Sequence, residues 1–163
     1  MKKRVMYIIS LVLVMVAAGI ALSHIIHFSG KAALTPQAFL NVQQKFYENY
    51  GVVTGGFQFG AFIMLLVLLA ITPAKSPRRP FFVVSLVAIA IMASVWIFKI
   101  NPMDLQIHSA TSVKEFPEIV DIRKQWAMWQ GIRGVAGLLG VVSIAYAFIL
   151  GDKAKAELQS SQA

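Results

Sequence analysis

The stretch RKQWAMWQGIRGVAGLLG, residues 123–140, sets polar side chains directly before an apolar run with regularly spaced glycines. At about 100° per helical residue, Arg123, Trp126, Gln130 and Arg133 fall within an arc of about 80° on one helix face. We call these four residues the polar stripe. The glycines continue near the same side, so the segment predicts a helix whose polar stripe runs into a closely packed seam inside a membrane.

The rest of the chain supports a membrane protein. Of its 163 residues, 58% are apolar and only 13% are charged, which is unusual for a soluble domain. A hydrocarbon core of ~30 Å needs about 20 helical residues, and four apolar runs have roughly that length. We therefore predict an all-α, four-helix transmembrane bundle in one domain, residues 1–151. Its expected spans are 5–28, 51–73, 80–98 and 131–150, followed by a disordered cytoplasmic tail at 152–163.

The positions of the basic residues, which give the chain its net charge of +8, agree with the predicted spans. Basic residues precede the first span and fill the second connection: Lys2, Lys3, Arg4, Lys75, Arg78 and Arg79. The positive-inside rule then predicts a multi-pass protein of the cell membrane with both termini in the cytoplasm. This placement accounts for the positive net charge, so binding to nucleic acid is not needed to explain it.

The first residues of the chain also resemble a signal peptide, with a small-x-small site at 21–23. Their apolar run exceeds the usual ~7–15 residues, however, which favours an uncleaved span.

The first connection predicts a short amphipathic helix. Thr35-Pro36 combines a capping hydroxyl with a proline that suits the first helical turn. Phe39, Val42 and Phe46 then recur at helical spacing. We expect this helix to lie on the outer surface and to lead into the second span.

Glycines at small-xxx-small spacing mark two of the spans. They are Gly51, Gly55, Gly56 and Gly60 in the second and Gly131, Gly134, Gly137 and Gly140 in the fourth. Such glycines let helix backbones approach closely in lipid, which predicts that these two spans pack inward. The same seams can equally mediate a homodimer.

Polar residues from several segments are expected to converge at the outer mouth of the bundle: His24, His27, Glu48, Asn101, Arg123, Gln130 and Arg133. An arginine at the centre of a span costs ~2.5–3.5 kcal/mol, so Arg133 should face the interior or a water-filled cavity. The alternatives are that Arg133 snorkels to the headgroups and that Trp126 belongs to an interfacial aromatic belt.

A metal site is not expected. The chain has no cysteine, and a single His-x-x-His pair, His24 and His27, gives too few ligands of defined geometry even beside a carboxylate. His108, in the third connection, is expected to be a solvated loop residue.

At these residues the chain resembles the anthrone oxygenase-like family of small four-span membrane proteins. The family shows a proline, then an arginine, a tryptophan three residues on, a histidine seven on and an arginine ten on. The matching residues are Pro117, Arg123, Trp126, Gln130 and Arg133, and Asn101 matches an asparagine after the third span. Glutamine replaces the histidine of the family pattern at Gln130.

The resemblance implies oxidation of an anthrone or similar polycyclic phenol to a quinone with molecular oxygen. His24 is then the expected base, and Arg133 would stabilise an oxyanion as the second catalytic residue. The expected ligand-binding residues are Asn101, Arg123, Trp126, Gln130 and Glu48. The partners are the lipid bilayer and an apolar small molecule, and the cofactor is left unassigned. The alternative is a non-catalytic membrane protein that binds lipid or a partner protein.

Overall fold

The fold is a bundle of long helices with shorter helices at one end. A computed structural model describes residues 2–47, 50–114 and 117–160, and no strand occurs in these ranges. The π-helical turn Trp96–Ile100 joins α5 to α6. The helices are α1 (Lys2–Ile26), α2 (Phe28–Ala33), α3 (Pro36–Phe46), α4 (Tyr50–Ile71), α5 (Arg79–Val95), α6 (Asn101–Ser109) and α7 (Ile119–Ser160).

Four helical stretches are long and apolar enough to cross a membrane: Arg4–Ile26, Tyr50–Ile71, Arg79–Ser109 and Ile119–Gly151. The predicted all-α four-span bundle is confirmed, and the chain is a multi-pass membrane protein. The third and fourth stretches have 31 and 33 residues, more than the about 20 that a bilayer requires. The third stretch begins close to its predicted start, and the fourth ends close to its predicted end, both on the side of the bundle that holds the chain termini. Their extra turns therefore project from the opposite end of the bundle, which we call the distal end.

The third stretch stays helical past Pro102 because its hydrogen bonding changes first. The backbone N–H of Asn101 donates to the carbonyl of Trp96, five residues earlier, which widens the helix into a π turn. Pro102, which has no N–H to donate, then occupies the first turn of α6. The third span was predicted to end at residue 98. The helix instead changes to a π turn there and continues as α6 to Ser109.

The spans pack around a continuous apolar core. α1 and α5 each contact both α4 and α7. The fully buried side chains of this core include Val14, Leu65, Phe82, Ile89 and Met92. Most other apolar side chains of the spans are exposed, as expected where lipid surrounds the bundle.

The glycines of α7 bring it close to α1 and α5. A Cβ built on Gly137 would lie 2.8 Å from the Cβ and 3.0 Å from the Cα of Ala18, and one on Gly140 would lie 3.4 Å from the Cβ of Ala88. A Cβ on Gly131 would meet no atom within 4 Å. The predicted inward packing therefore holds for the later glycines of α7, while a homodimer through the open ones stays a prediction.

A second apolar cluster lies in what we call the cap, formed by α2, α3, α6 and the first turns of α7. Its buried members are Phe39, Leu40, Ile100, Met103, Ile107, Ile119, Ile122 and Trp126. The predicted start of α3 is confirmed, since the Thr35 hydroxyl accepts a hydrogen bond from the backbone N–H of Ala38 at 3.2 Å. Along its predicted apolar face, Phe39 is buried and Phe46 is 77% exposed, and the buried residues of α3 also include Leu40 and Gln43.

The last helix also differs from the expected boundaries. α7 begins at Ile119, two residues after Pro117. It then continues to Ser160, well into the segment for which the sequence predicted disorder.

Candidate functional site

A small polar cavity lies between the distal ends of α1, α4 and α7 and the cap. Its volume is about 20 Å³, enough for about one water molecule. We call it the distal cavity. Its walls consist mainly of polar and aromatic side chains: His24, Gln43, Tyr47, Tyr50, Gly51, Thr54, Trp96, Ile100, Asp104, His108, Trp126, Gln130 and Arg133.

Arg133 is the most unusual group in the cavity wall. Its side chain is only 2% exposed, and one terminal nitrogen donates to Oε1 of Gln130, one helical turn earlier, at 2.9 Å. Its Nε and its other terminal nitrogen have no hydrogen-bond partner among the described residues. Asn101 is therefore not a hydrogen-bond partner of Arg133. Arg133 is buried, as predicted, but it is incompletely partnered by the protein.

The polar stripe divides into two parts. Trp126, Gln130 and Arg133 line the cavity. Arg123 does not. Its guanidinium donates to the backbone carbonyl of Leu34 at 3.0 Å and lies 5.7 Å from the ring centre of Phe39. Arg123 therefore joins the first turns of α7 to the connection between α2 and α3, which makes it a structural residue.

Trp126 connects the stripe to a carboxylate that the sequence analysis overlooked. Its indole Nε1–H donates to Oδ1 of Asp104 at 2.9 Å, and the Trp126 side chain is buried. Asp104 lies on α6 and is half-buried at the cavity wall. Because the indole occupies one carboxylate oxygen, Asp104 is held in a fixed orientation beside the cavity.

His24 lies at the end of α1 and is surrounded by aromatic side chains. The centre of its ring lies 5.2 Å from that of Tyr47, 5.4 Å from Tyr50 and 4.9 Å from Trp126. Its Nδ1 lies 3.2 Å from Nζ of Lys31. A lysine ammonium can only donate, so Nδ1 accepts this bond and the neutral imidazole carries its proton on Nε2.

Lys31 is buried among the same aromatic side chains. Its Nζ lies 4.1 Å from the ring centre of Tyr47 and 4.8 Å from that of Trp126, distances at which aromatic faces attract a cation. Burial lowers the pKa of Lys31 to about 8, although the carboxylate of Asp104 opposes that shift. Burial also raises the pKa of Tyr47, and the neighbouring Tyr50 adds to this increase.

The lowered pKa of Lys31 predicts a pH dependence of stability. Between pH 8 and the ordinary value of 10.5, the unfolded chain holds a proton that the folded chain has lost. Folding should therefore become more favourable as the pH rises through this window. Thermal unfolding of purified protein in detergent should show a melting temperature that increases from pH 8 to 10. The raised pKa of Tyr47 has the opposite effect, but only above its ordinary value of 10.0.

The matched variant is Lys31→Met, which keeps an unbranched apolar stem and removes the titrating group. Its melting temperature should lose most of the rise between pH 8 and 10, whatever its absolute stability. An identical rise in wild type and Lys31→Met would assign the effect to another group and contradict the burial of a titrating Lys31.

The other predicted site residues lie around the cavity with different roles. Asn101 is half-buried at the start of α6 and does not line the cavity. Glu48 lies outside the described residues. His27 is exposed, with its Nδ1 2.7 Å from the carbonyl of Ser23. His108 is exposed, as expected, but it lies on helix α6 at the cavity wall and not in a loop.

The residues in or beside the cavity wall that the sequence analysis missed include Lys31, Gln43, Tyr47, Tyr50, Trp96 and Asp104. One signal was available, because Lys31 follows His24 by seven residues and such spacing places two side chains on one helical face. Asp104 had no comparable signal. It shares α6 with buried Met103 and Ile107, but its partner Trp126 is 22 residues away in sequence.

Among the residues in the described ranges, no group of three or more histidine, aspartate or glutamate side chains is arranged to hold a metal ion. The cavity wall instead carries the guanidinium of Arg133, the carboxylate of Asp104 and the imidazoles of His24 and His108, and the ammonium of Lys31 lies beside His24. Two cationic groups beside one carboxylate favour a ligand that carries or develops negative charge on oxygen.

Comparisons with protein-family models, with curated proteins and with solved structures give no match for this chain. The resemblance to the anthrone oxygenase-like family therefore rests on the spacing of Pro117, Arg123, Trp126 and Arg133, and it stays a prediction. Within that pattern, the structure places Trp126 and Arg133 at the distal cavity and Arg123 in the cap.

Proposed function

We propose that the distal cavity binds the oxygen atom of an enolisable or phenolic compound as an oxyanion. The observation that carries this proposal is Arg133, a buried residue of the cavity wall whose guanidinium has two nitrogens without hydrogen-bond partners among the described residues. A guanidinium is a strong donor to anionic oxygen, and its burial without partners is costly unless a ligand or water satisfies it.

The cavity holds about one water-sized group, so a ligand would place a single oxygen there and keep its rings at the mouth. Tyr47, Tyr50 and Trp126 offer aromatic surfaces around that position. This arrangement suits a flat aromatic compound whose reactive oxygen enters the bundle.

The hydrogen bonds favour a different base from the one expected from the sequence. Nδ1 of His24 already accepts from Lys31, so the remaining ring nitrogen bears a proton and can only donate. Asp104 has a carboxylate at the cavity wall and accepts from Trp126 through one oxygen, which leaves the other oxygen free to take a proton. We therefore assign the base to Asp104, and we assign oxyanion stabilisation to Arg133 and His24.

The resemblance supplies the reaction. An anthrone loses the acidic proton on carbon to the base, and its carbonyl oxygen becomes an oxyanion held by donors in the cavity. The carbanion is oxidised by dioxygen to a hydroperoxide at the same carbon, which eliminates water to give the quinone. One anthrone and one dioxygen thus yield one anthraquinone and one water.

A specific observation favours the non-catalytic alternative as the second candidate. A volume of about 20 Å³ is enough for a single water molecule that could bridge Arg133 and Asp104. The bundle would then need no ligand, and the polar cluster would serve only to attach the cap to the spans.

The test uses 9-anthrone with purified protein in lipid nanodiscs, with oxygen consumption and anthraquinone absorbance as readouts. We expect equal molar uptake of oxygen and formation of quinone above the rate of protein-free nanodiscs. Asp104→Asn should lower this rate by about 10²-fold or more, the range associated with a general base. Lys124→Gln is the control, because Lys124 is an exposed residue of α7. A wild-type rate equal to that of Asp104→Asn would support the non-catalytic alternative.

We also propose that both termini lie in the cytoplasm and that the distal end faces outward across the cell membrane. Lys75, Arg78 and Arg79 in the connection between α4 and α5 support this orientation. A phosphatase that requires export should be inactive when it is fused after the last residue. It should be active when it is inserted after Thr111, and the reverse pattern would contradict the orientation.

A further inference from the structure

A second cavity opens on the lipid-facing side of the bundle between α4 and α5. Its volume is about 480 Å³, within the range of sites for small organic molecules. We call it the lateral groove. Phe59 and Ile97 at its rim are 68% and 49% exposed, so in a membrane the groove faces hydrocarbon.

The wall of the groove includes a polar side chain with a buried nitrogen that lacks a partner among the described residues. Gln58 lines it, is 2% exposed, and has a side-chain nitrogen without a hydrogen-bond partner among the residues described. Leaving an amide donor unpaired in an apolar setting is unfavourable. A lipid acyl chain can fill the groove but cannot accept a hydrogen bond. The donor of Gln58 therefore needs an occupant that is apolar overall and carries an acceptor.

Trp96 separates the lateral groove from the distal cavity, because its side chain lines both. The indole packs over glycines of α4: a Cβ on Gly51 would lie 3.3 Å from it and one on Gly55 would lie 3.7 Å from it. It belongs to the π-helical turn, a form that occurs frequently at functional sites.

We propose that the lateral groove is a binding site for a lipophilic carbonyl compound that enters from the bilayer, with its carbonyl oxygen accepting a hydrogen bond from Gln58. Its apolar body lies along Phe59, Phe62 and Ala93, and Trp96 closes the distal end of the groove. The site rests on Gln58 and the groove alone. It does not depend on the chemistry assigned to the distal cavity.

The test uses benzophenone, a lipophilic ketone that inserts into nearby C–H bonds on illumination, with the full-length protein in phosphatidylcholine nanodiscs. We expect labelled peptides to map to residues 55–62 and 90–97. Fluorenone and fluorene have the same ring skeleton, but only fluorenone carries a carbonyl. Fluorenone should compete at about a tenfold lower concentration, the factor expected from one ordinary hydrogen bond.

Gln58→Leu should fold, since it replaces an amide whose nitrogen has no partner among the described residues with an apolar side chain of similar size. It should remove the difference between fluorenone and fluorene. Ala93→Leu, which partly fills the groove, is the second variant and should reduce labelling itself. Gly56→Leu is the control, because a Cβ on Gly56 would meet no atom within 4 Å and Gly56 does not line the groove. It should behave as wild type.

Three results would overturn the proposal. Labelling spread evenly over all lipid-facing helices would mean that benzophenone only dissolves in the bilayer. Equal competition by fluorene and fluorenone would mark the groove as a place for acyl chains without polar recognition. Predominant cross-links between two copies of the chain would assign the groove to a dimer interface.

Discussion

Replacing Gly137 with leucine should separate α7 from α1 and leave little folded protein. A Cβ at this position would lie 2.8 Å from the Cβ of Ala18 and 3.0 Å from its Cα, and also 3.3 Å from Sδ of Met92. Flexible side chains can move away from such a contact, but the Cα of Ala18 moves only if the helix moves. Overpacking of a core costs about 1–3 kcal/mol, and a shift of a whole helix should reach the upper end of that range. The measurement is thermal unfolding of detergent-purified protein, together with its yield from membranes.

The chain provides a matched control and a rescue for this experiment. Gly131→Leu lies on the same helix, where a Cβ would meet no atom within 4 Å, and it should leave the melting temperature nearly unchanged. Gly137→Ala should be intermediate, and adding Ala18→Gly should recover part of the loss by removing the facing methyl group. A stable Gly137→Leu protein would show that α7 does not pack on α1 as described.

The membrane fold could be predicted from the sequence because lipid imposes a simple requirement. Spans must be helical, apolar and about 20 residues long, so composition alone locates them. Glycine spacing also predicted which face of α7 packs inward, as Gly137 shows. The extra turns beyond the bilayer were harder to predict, because nothing in the run Trp96–Ile100 indicates the π turn that carries the third helix past Pro102.

The candidate site was predictable only in part. Helical periodicity brought Trp126, Gln130 and Arg133 together because they share one helix. It also included Arg123, whose partner is a carbonyl of the cap and not the cavity. Asp104 comes from another helix, and its position depends on tertiary packing that periodicity does not describe.

Replacing Arg133 with leucine should stabilise the fold while it abolishes recognition of an oxyanion. The side chain is 2% exposed and makes one hydrogen bond, to Gln130 of its own helix, so it does not join α7 to another helix through any bond among the described residues. Burying a charge without adequate partners is costly, so removing this charge should be neutral or stabilising. The melting temperature of Arg133→Leu should therefore equal or exceed that of wild type, and its rate of anthrone oxidation should fall to the protein-free value.

Arg123→Leu is the matched comparison, since both arginines lie on one face of α7. Arg123 donates to the carbonyl of Leu34 and packs over Phe39, so its loss leaves a carbonyl of the cap unpaired and detaches the connection between α2 and α3. This variant should lower the melting temperature, with a loss of about 1–3 kcal/mol. The two variants should thus shift stability in opposite directions.

Arg133→Lys separates charge from geometry at the same position. Lysine keeps the positive charge but lacks the planar fork of donors. The Arg133→Lys variant should therefore fold, but it should oxidise anthrone more slowly than wild type. A strong loss of stability in Arg133→Leu, comparable to that in Arg123→Leu, would contradict the proposal. It would mean that the guanidinium stabilises the bundle through a bound water. The two nitrogens that have no partner among the described residues would then not bind a ligand.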